Sequence, residues 1–241
     1  GRVAAAYVLD ASKRAKQMAI EGRVLEALQA SRIVRQHCGA CCDGTLLAVD
    51  ALERQGRLGE AVDSAREGVE RTPHDPTMRV VYARLLSRKG SHALAEIELE
   101  KLVEGKKSGK TAYASAPEFA EGYARAEACL EALRAAKKLK DDGNTAYGAS
   151  QFERAITCYT KGMQADTEGF LAAVLHGNRS QAYAKLGQLK YCLDDCHAAI
   201  QIDDEAIKMR LRRAACRLEL NQPDEAVLDY ERVLELDPEN A

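Results

Sequence analysis

A glycine recurs every 34 residues in the N-terminal half of the chain. Gly22, Gly56 and Gly90 sit in the short turn-like stretches EGRVLEA, QGRLGEA and KGSHALA. Five residues beyond each glycine stands an alanine: Ala27, Ala61 and Ala95. A fixed period with a small residue at a fixed offset means one structural unit built repeatedly, each copy packed on the next. Composition makes that unit helical. Trp is absent, Phe occurs three times and Pro five times in 241 residues, while Ala, Leu, Glu and Arg, all good helix formers, dominate.

The period returns further along. SQFERAITCYTKGMQAD carries Phe152, Ala155 and Tyr159; KLGQLKYCLDDCHAAIQID carries Gly187, Leu189 and Ala199; NQPDEAVLDYERVLELDP carries Ala226, Tyr230 and Pro238. With Gly143 as position 8, these repeats begin near Ala136, Ala173 and Ile207, spaced by 37 and 34 residues, with the extra length around Thr167–Phe170. The earlier set begins near Val8, Cys42 and Pro76. Thirty-four residues with a mid-repeat glycine and a small residue in the second helix is the tetratricopeptide (TPR) period. The expected fold is all-α: a TPR helical-repeat solenoid of two three-repeat units joined by a long helix. Small residues are required where helices A and B of a pair cross closely, and leucines and aromatics fill the space between pairs. No pair buries its apolar face alone, so the stack is the stable object.

Between the two sets, VEGKKSGKTAYASAPEF is polar and rich in Gly and Lys, and is expected to be an exposed loop. From Pro117, which suits a first helical turn, the sequence runs helix-like without a breaker into the fourth A helix. The expected division is a first TPR unit over 1–103, a loop and linker helix over 104–135, and a second unit over 136–241.

Charge and cysteines narrow the function. The net charge is −2, and from Ala136 onward 14 Lys+Arg face 18 Asp+Glu. That balance excludes a broad basic footprint for nucleic acid, so any anion site must arise from local placement. No apolar run approaches ~18 residues, so no membrane span is expected. The chain starts at Gly1 without an initiator methionine or a signal-peptide pattern and is read as a fragment. Eight cysteines suit buried thiols in a reducing compartment, with Cys192 and Cys196, four apart, in the core. Cys38, Cys41 and Cys42 beside His37 imitate a metal site but lack a second ligand pair at zinc spacing. Neither metal nor cofactor is expected.

Two further motifs mislead. GKKSGKT (Gly105–Thr111) has three residues between its glycines where a P-loop needs four, and no strand precedes it. PHDP (Pro73–Pro76) is a turn closing a repeat. Five histidines are scattered, no nucleophile motif occurs, and the carboxylates are expected to follow helix surfaces. The chain reads as a binding protein and not an enzyme.

One constellation does stand out. In a TPR stack the A helices line the concave groove. Lys140 and Asn144 fall at positions 5 and 9 of the fourth A helix, Asn178 at position 6 of the fifth, and Lys208 and Arg212 at positions 2 and 6 of the sixth. Three cations and two amides from three successive helices can receive two neighbouring carboxylates. A free C-terminus ending in aspartate supplies both, as its α-carboxylate and its side chain. Hydrogen bonds to charged groups contribute ~1.5–3 kcal/mol each. The equivalent positions of the first unit are Ser12, Lys16, Leu47, Thr77 and Val81, which cannot hold two carboxylates.

Residue by residue, Lys140, Asn144, Asn178, Lys208 and Arg212 resemble the dicarboxylate clamp of TPR co-chaperones, with Lys185 matching an accessory basic position. The resemblance implies binding of the Glu-Glu-Val-Asp tails of cytosolic heat-shock proteins 70 and 90. The wording KKLKDDGNTAY, IDDEAIKMRLRRAACRLEL and DEAVLDYERV, behind a non-clamp unit, further resembles the TPR-containing J-proteins of the DnaJ homolog subfamily C member seven type. That resemblance implies a J domain beyond Ala241, regulation of chaperone ATPase and client transfer, and a cytoplasmic location with the nucleus also open. It also implies unfolded clients as further partners. For the first unit, apolar client segments, a partner domain or a spacer role remain the alternatives. The competing reading of the whole chain is a TPR scaffold that binds internal helical or extended peptides of a non-chaperone partner.

Overall fold

The computed structural model describes residues 2–37, 42–73, 75–108 and 116–239, the side chains of residues 2–6 and 118 apart. Those residues form helices joined by short turns, and no strand occurs among them. Six helix pairs follow the 34-residue frame. In the first unit, α1 (Arg2–Ile20) pairs with α2 (Val24–His37), α3 (Asp43–Arg54) with α4 (Leu58–Arg71), and α5 (Pro76–Arg88) with α6 (His92–Lys107). In the second, the C-terminal part of α7 (Ala120–Gly148) pairs with α8 (Phe152–Ala165), α9 (Ala172–Lys185) with α10 (Leu189–Ile202), and α11 (Ile207–Glu219) with α12 (Pro223–Leu236). The chain divides into two compact units, Gly1–Leu130 and Glu131–Ala241. Helix α7 thus gives residues 120–130 to the first and 131–148 to the second.

The repeat's small positions carry the close crossings. Ala27, Ala61, Ala95, Ala155, Cys192 and Ala226, at position 20 of the six repeats, are all 0% exposed. At position 8 stand Ala15, Val49, Ala83, Gly143, Ser180 and Ala214, every one buried. Interiors packed this closely leave no room for added methylenes, so each position admits only small or compact side chains. Cys192 and Cys196 lie in the core of the second unit together with Cys216. Of the other cysteine and motif expectations, Cys38, Cys41, His74 and residues 109–115 lie outside the described residues. Asp75 of the PHDP motif caps α5, accepting from the Thr77 N–H at 2.8 Å, with Pro76 in the first turn. Helix α6 continues to Lys107, and a short 3-10 turn at Pro117–Phe119 leads into α7.

The 37-residue spacing is taken up between α8 and α9. There buried Asp166 accepts the backbone N–H groups of Phe170 (2.8 Å) and Leu171 (2.5 Å). This folds the extra residues back so that Phe170 and Leu171, each 1% exposed, enter the core.

Every A–B turn requires a left-handed residue. Gly22, Gly56, Gly90 and Gly187 supply it at φ between 68° and 85°. In the fourth and sixth repeats the same place is held by Ser150 (φ 58°) and Asn221 (φ 59°). A side chain there costs roughly 1–2 kcal/mol, less for asparagine, whereas glycine enters freely but costs entropy in the unfolded chain. Ser150→Gly is therefore expected to stabilise the second unit by about 0.5–1 kcal/mol, and Asn221→Gly by less. Urea denaturation of the two variants beside the wild type checks this order, and a destabilised Ser150→Gly would refute it.

Candidate peptide-carboxylate site

The five residues singled out by register, and Lys185, which the resemblance adds, all lie in the second unit. Lys140 and Asn144 are one turn apart on α7, Asn178 and Lys185 are on α9, and Lys208 and Arg212 are one turn apart on α11. Three of them are physically linked through α9. The Asn178 Nδ2 donates to Asn144 Oδ1 at 3.0 Å. The Arg212 Nη1 donates to the Gly177 carbonyl at 2.6 Å and to Ser180 Oγ at 2.9 Å, on either side of Asn178. Ser180 is itself held by donating to the Gly177 carbonyl at 2.7 Å. One guanidinium nitrogen therefore serves the scaffold, while Nε and Nη2 make no hydrogen bond among the described residues, and a guanidinium fork of that kind has the geometry that suits a carboxylate.

The lysines are held less firmly. The Lys140 ammonium lies 3.4 Å from Asp141 Oδ1, with 22% of its side chain exposed. Lys185 and Lys208 are exposed, and neither enters an ion pair among the described residues. They are placed by the helices that carry them and not by contact with the amides. The site thus combines a fixed floor of Asn144, Asn178 and Arg212 with three lysines able to adjust.

Two features were not legible from the repeat pattern. Tyr159 on α8 is 2% exposed, and its hydroxyl donates to Asn144 Oδ1 at 2.9 Å. Read as an apolar filler, it had one signal that went unused: a buried tyrosine needs a partner for its hydroxyl, and Asn144 is that partner. Burial first, with Tyr147 and Cys158 nearby, pushes the Tyr159 hydroxyl up to about 12, so it stays a donor throughout the physiological range.

The expectation that carboxylates follow helix surfaces fails behind the site. Asp195 on α10 is 3% exposed and accepts from Arg179 Nε and Nη2 and from His176 Nδ1, each at 2.7 Å. One repeat later, Asp229 on α12 is 1% exposed and accepts from Arg213 Nε at 2.9 Å and Arg217 Nη1 at 2.7 Å. Both acids occupy position 23 and both are met by an arginine from position 7. Burying a carboxylate is tolerable only with such pairing, and a helix-surface reading of single residues does not reveal it. Among the described residues, no group of three His, Cys, Asp or Glu is disposed to hold a metal, and no helix is long and apolar enough to cross a membrane.

With this geometry in place, comparison with known proteins is informative. Residues 207–240 match the tetratricopeptide repeat family. The first TPR of Spaghetti (RPAP3), solved bound to the HSP90 peptide SRMEEVD, is 40% identical, with coverage of 44% of this chain and 82% of that one and a TM-score of 0.42. The TPR domain of P58(IPK) covers 97% of this chain and 61% of its own at a TM-score of 0.65 and 15% identity, a likeness of fold. The chain belongs to the tetratricopeptide-repeat family. Within that family, it is 41% identical over 102 residues to human (Homo sapiens) RNA polymerase II-associated protein 3, covering 42% of this chain and 15% of the relative. It is 39% identical over 107 residues to mouse (Mus musculus) DnaJ homolog subfamily C member 7, covering 44% of this chain and 22% of the relative. The chain therefore spans about a fifth or less of the length of these curated relatives.

Proposed function

We propose that the second unit is a dicarboxylate clamp that binds the C-terminal Glu-Glu-Val-Asp tails of heat-shock proteins 70 and 90. The single observation that carries this reading is the linked floor of the groove. Asn144, Asn178 and Arg212 are tied together through α9 with donors left over, and Lys140 and Lys208 sit on the flanking helices. A site rich in donors and poor in acceptors is built for anions, and a terminal aspartate offers it two carboxylates. By sequence, the relative solved with an HSP90 peptide ending in EEVD is 40% identical over the part it shares with this chain. In this reading the protein is a non-enzymatic adaptor working in the cytoplasm or nucleus. In a J-protein context it would hold the chaperone tail while a J domain acted on the ATPase and clients were passed on. The five groove positions of the first unit, Ser12, Lys16, Leu47, Thr77 and Val81, lack the clamp set, which leaves apolar client segments, a partner domain or a spacer role for that unit.

Anisotropy titration of a labelled peptide ending in Glu-Glu-Val-Asp tests the clamp. Binding in the micromolar range is expected, given charge-assisted bonds of ~1.5–3 kcal/mol each less the cost of ordering the tail. An amidated peptide loses one carboxylate and should bind at least about tenfold more weakly. Equal binding of the two would replace the clamp with the scaffold reading, in which the groove takes internal peptide segments.

A further inference from the structure

Gly143, the residue before Asn144, is buried against α8. A Cβ added there would stand 2.5 Å from Tyr159 Cε1 and 2.7 Å from Cδ1, distances no side chain sustains. The glycine is therefore what lets the Tyr159 ring lie flush on α7, close enough for its hydroxyl to reach Asn144. Asn144 Oδ1 accepts twice, from the Tyr159 hydroxyl at 2.9 Å and from Asn178 Nδ2 at 3.0 Å. An asparagine amide has two faces that differ only in whether oxygen or NH2 is presented. Turning Asn144 over would leave the buried Tyr159 hydroxyl proton without an acceptor among the described residues and, unless Asn178 turned with it, would set two NH2 groups against each other, so this pair of bonds favours one orientation of the amide. Both Nδ2 protons of Asn144 are then left uncommitted among the described residues.

We propose that Tyr159 is a positioning residue of the carboxylate site: its hydroxyl, passed over Gly143, locks the Asn144 amide with NH2 toward the incoming carboxylate. This rests on the reading that the groove takes a carboxylate-ended peptide. Without the lock, half of the amide's orientations present an oxygen to an anion, and binding must first reorient it. Within this chain the position holds a tyrosine in only two of the six repeats. The equivalent residues of the other repeats are Ser31, Ala65, Leu99, Cys196 and Tyr230, and Tyr230 is 37% exposed with no bond to a groove residue.

The test is Tyr159→Phe, which keeps the ring against Gly143 and removes only the hydroxyl, with Tyr230→Phe as control. Tail-peptide affinity is expected to fall about threefold to tenfold in Tyr159→Phe and to stay unchanged in Tyr230→Phe. In an Asn144→Ala background, Tyr159→Phe should cost nothing further, which a general packing role would not produce. Independently of any peptide, the Asn144 side-chain NH2 signals in a nitrogen–proton spectrum, assigned by their loss in Asn144→Ala, should shift and broaden in Tyr159→Phe. If the wild type binds the tail, unchanged affinity in Tyr159→Phe, or an equal loss in the Asn144→Ala background, overturns the proposal. If the wild type does not bind it, the clamp reading fails, and the amide signals alone decide whether Tyr159 holds Asn144: unaltered signals overturn that role.

Discussion

Lys208→Ala is expected to weaken binding of a Glu-Glu-Val-Asp peptide by roughly 10- to 100-fold, the loss of one charge-assisted bond of ~1.5–3 kcal/mol. It should leave the melting temperature where it was, because the side chain is exposed and carries no ion pair that the fold relies on. Lys140→Ala should cost more. Its ammonium lies 3.4 Å from Asp141 Oδ1, so removing it deletes an attraction and leaves an uncompensated carboxylate near the incoming anions. Raising salt from 0.05 to 0.5 M should weaken the wild type and shrink the gap to both variants, since the screening length falls from about 14 Å to about 4 Å over that range. Parallel anisotropy titrations and thermal melts check all three statements. A Lys208→Ala protein that binds like the wild type would remove Lys208 from the site and leave Arg212 as the contribution of α11.

The second large effect is on stability. Asp195→Ala is expected to destabilise the second unit by about 3–5 kcal/mol, the cost of stripping one partner from a buried ionic cluster. Arg179 would keep only its bond to Thr160 Oγ1 at 2.8 Å, and His176 would lose its acceptor. In a unit this size the melting temperature should drop by roughly 10–20 °C. The same cluster sets the acid response. Burial alone would push Asp195 up, but the bonds from Arg179 and His176 outweigh it and hold the carboxyl below its ordinary range. A carboxyl with a lowered folded pKa gives stability that is complete above its unfolded value, ~3.9, and is lost as pH falls through the folded value. The wild type should therefore shed stability below about pH 4, and Asp195→Asn should show a shallower acid dependence there. Urea unfolding at pH 7 and at stepwise lower pH measures both. A melting point within a few degrees of wild type for Asp195→Ala would mean that the helices re-pair their charges at little cost.

The repeat architecture was legible because it is written in small residues at fixed intervals. Ala27, Ala61 and Ala95 announced the period, and Ala155 and Ala226 continued it beyond a break. Position within the repeat then assigned Lys140, Asn144, Asn178, Lys208 and Arg212 to A helices. What the pattern could not give was the layer behind them. Tyr159 and Leu99 occupy the same repeat position and look alike as apolar fillers, yet only the tyrosine carries a hydroxyl to Asn144. Asp195 reads as one more acidic residue on an amphipathic helix, and its burial follows from where Arg179 and His176 arrive from α9. Such pairings depend on how adjacent helices cross, which hydropathy does not record.

Five consecutive residues of α9 carry both kinds of duty. His176 and Arg179 hold the buried Asp195, Gly177 and Ser180 hold Arg212, and Asn178 holds Asn144. A change of ligand preference therefore has unequal routes open to it. Substitutions between positions 176 and 180 tax the fold as well as the groove, so selection or engineering acting there meets a stability threshold early. Lys140, Lys185 and Lys208 stand outside that segment, with no ties to the core network. If the groove is a clamp, they are the positions where a lineage of such proteins can drift from one acidic tail to another while the scaffold stays as it is.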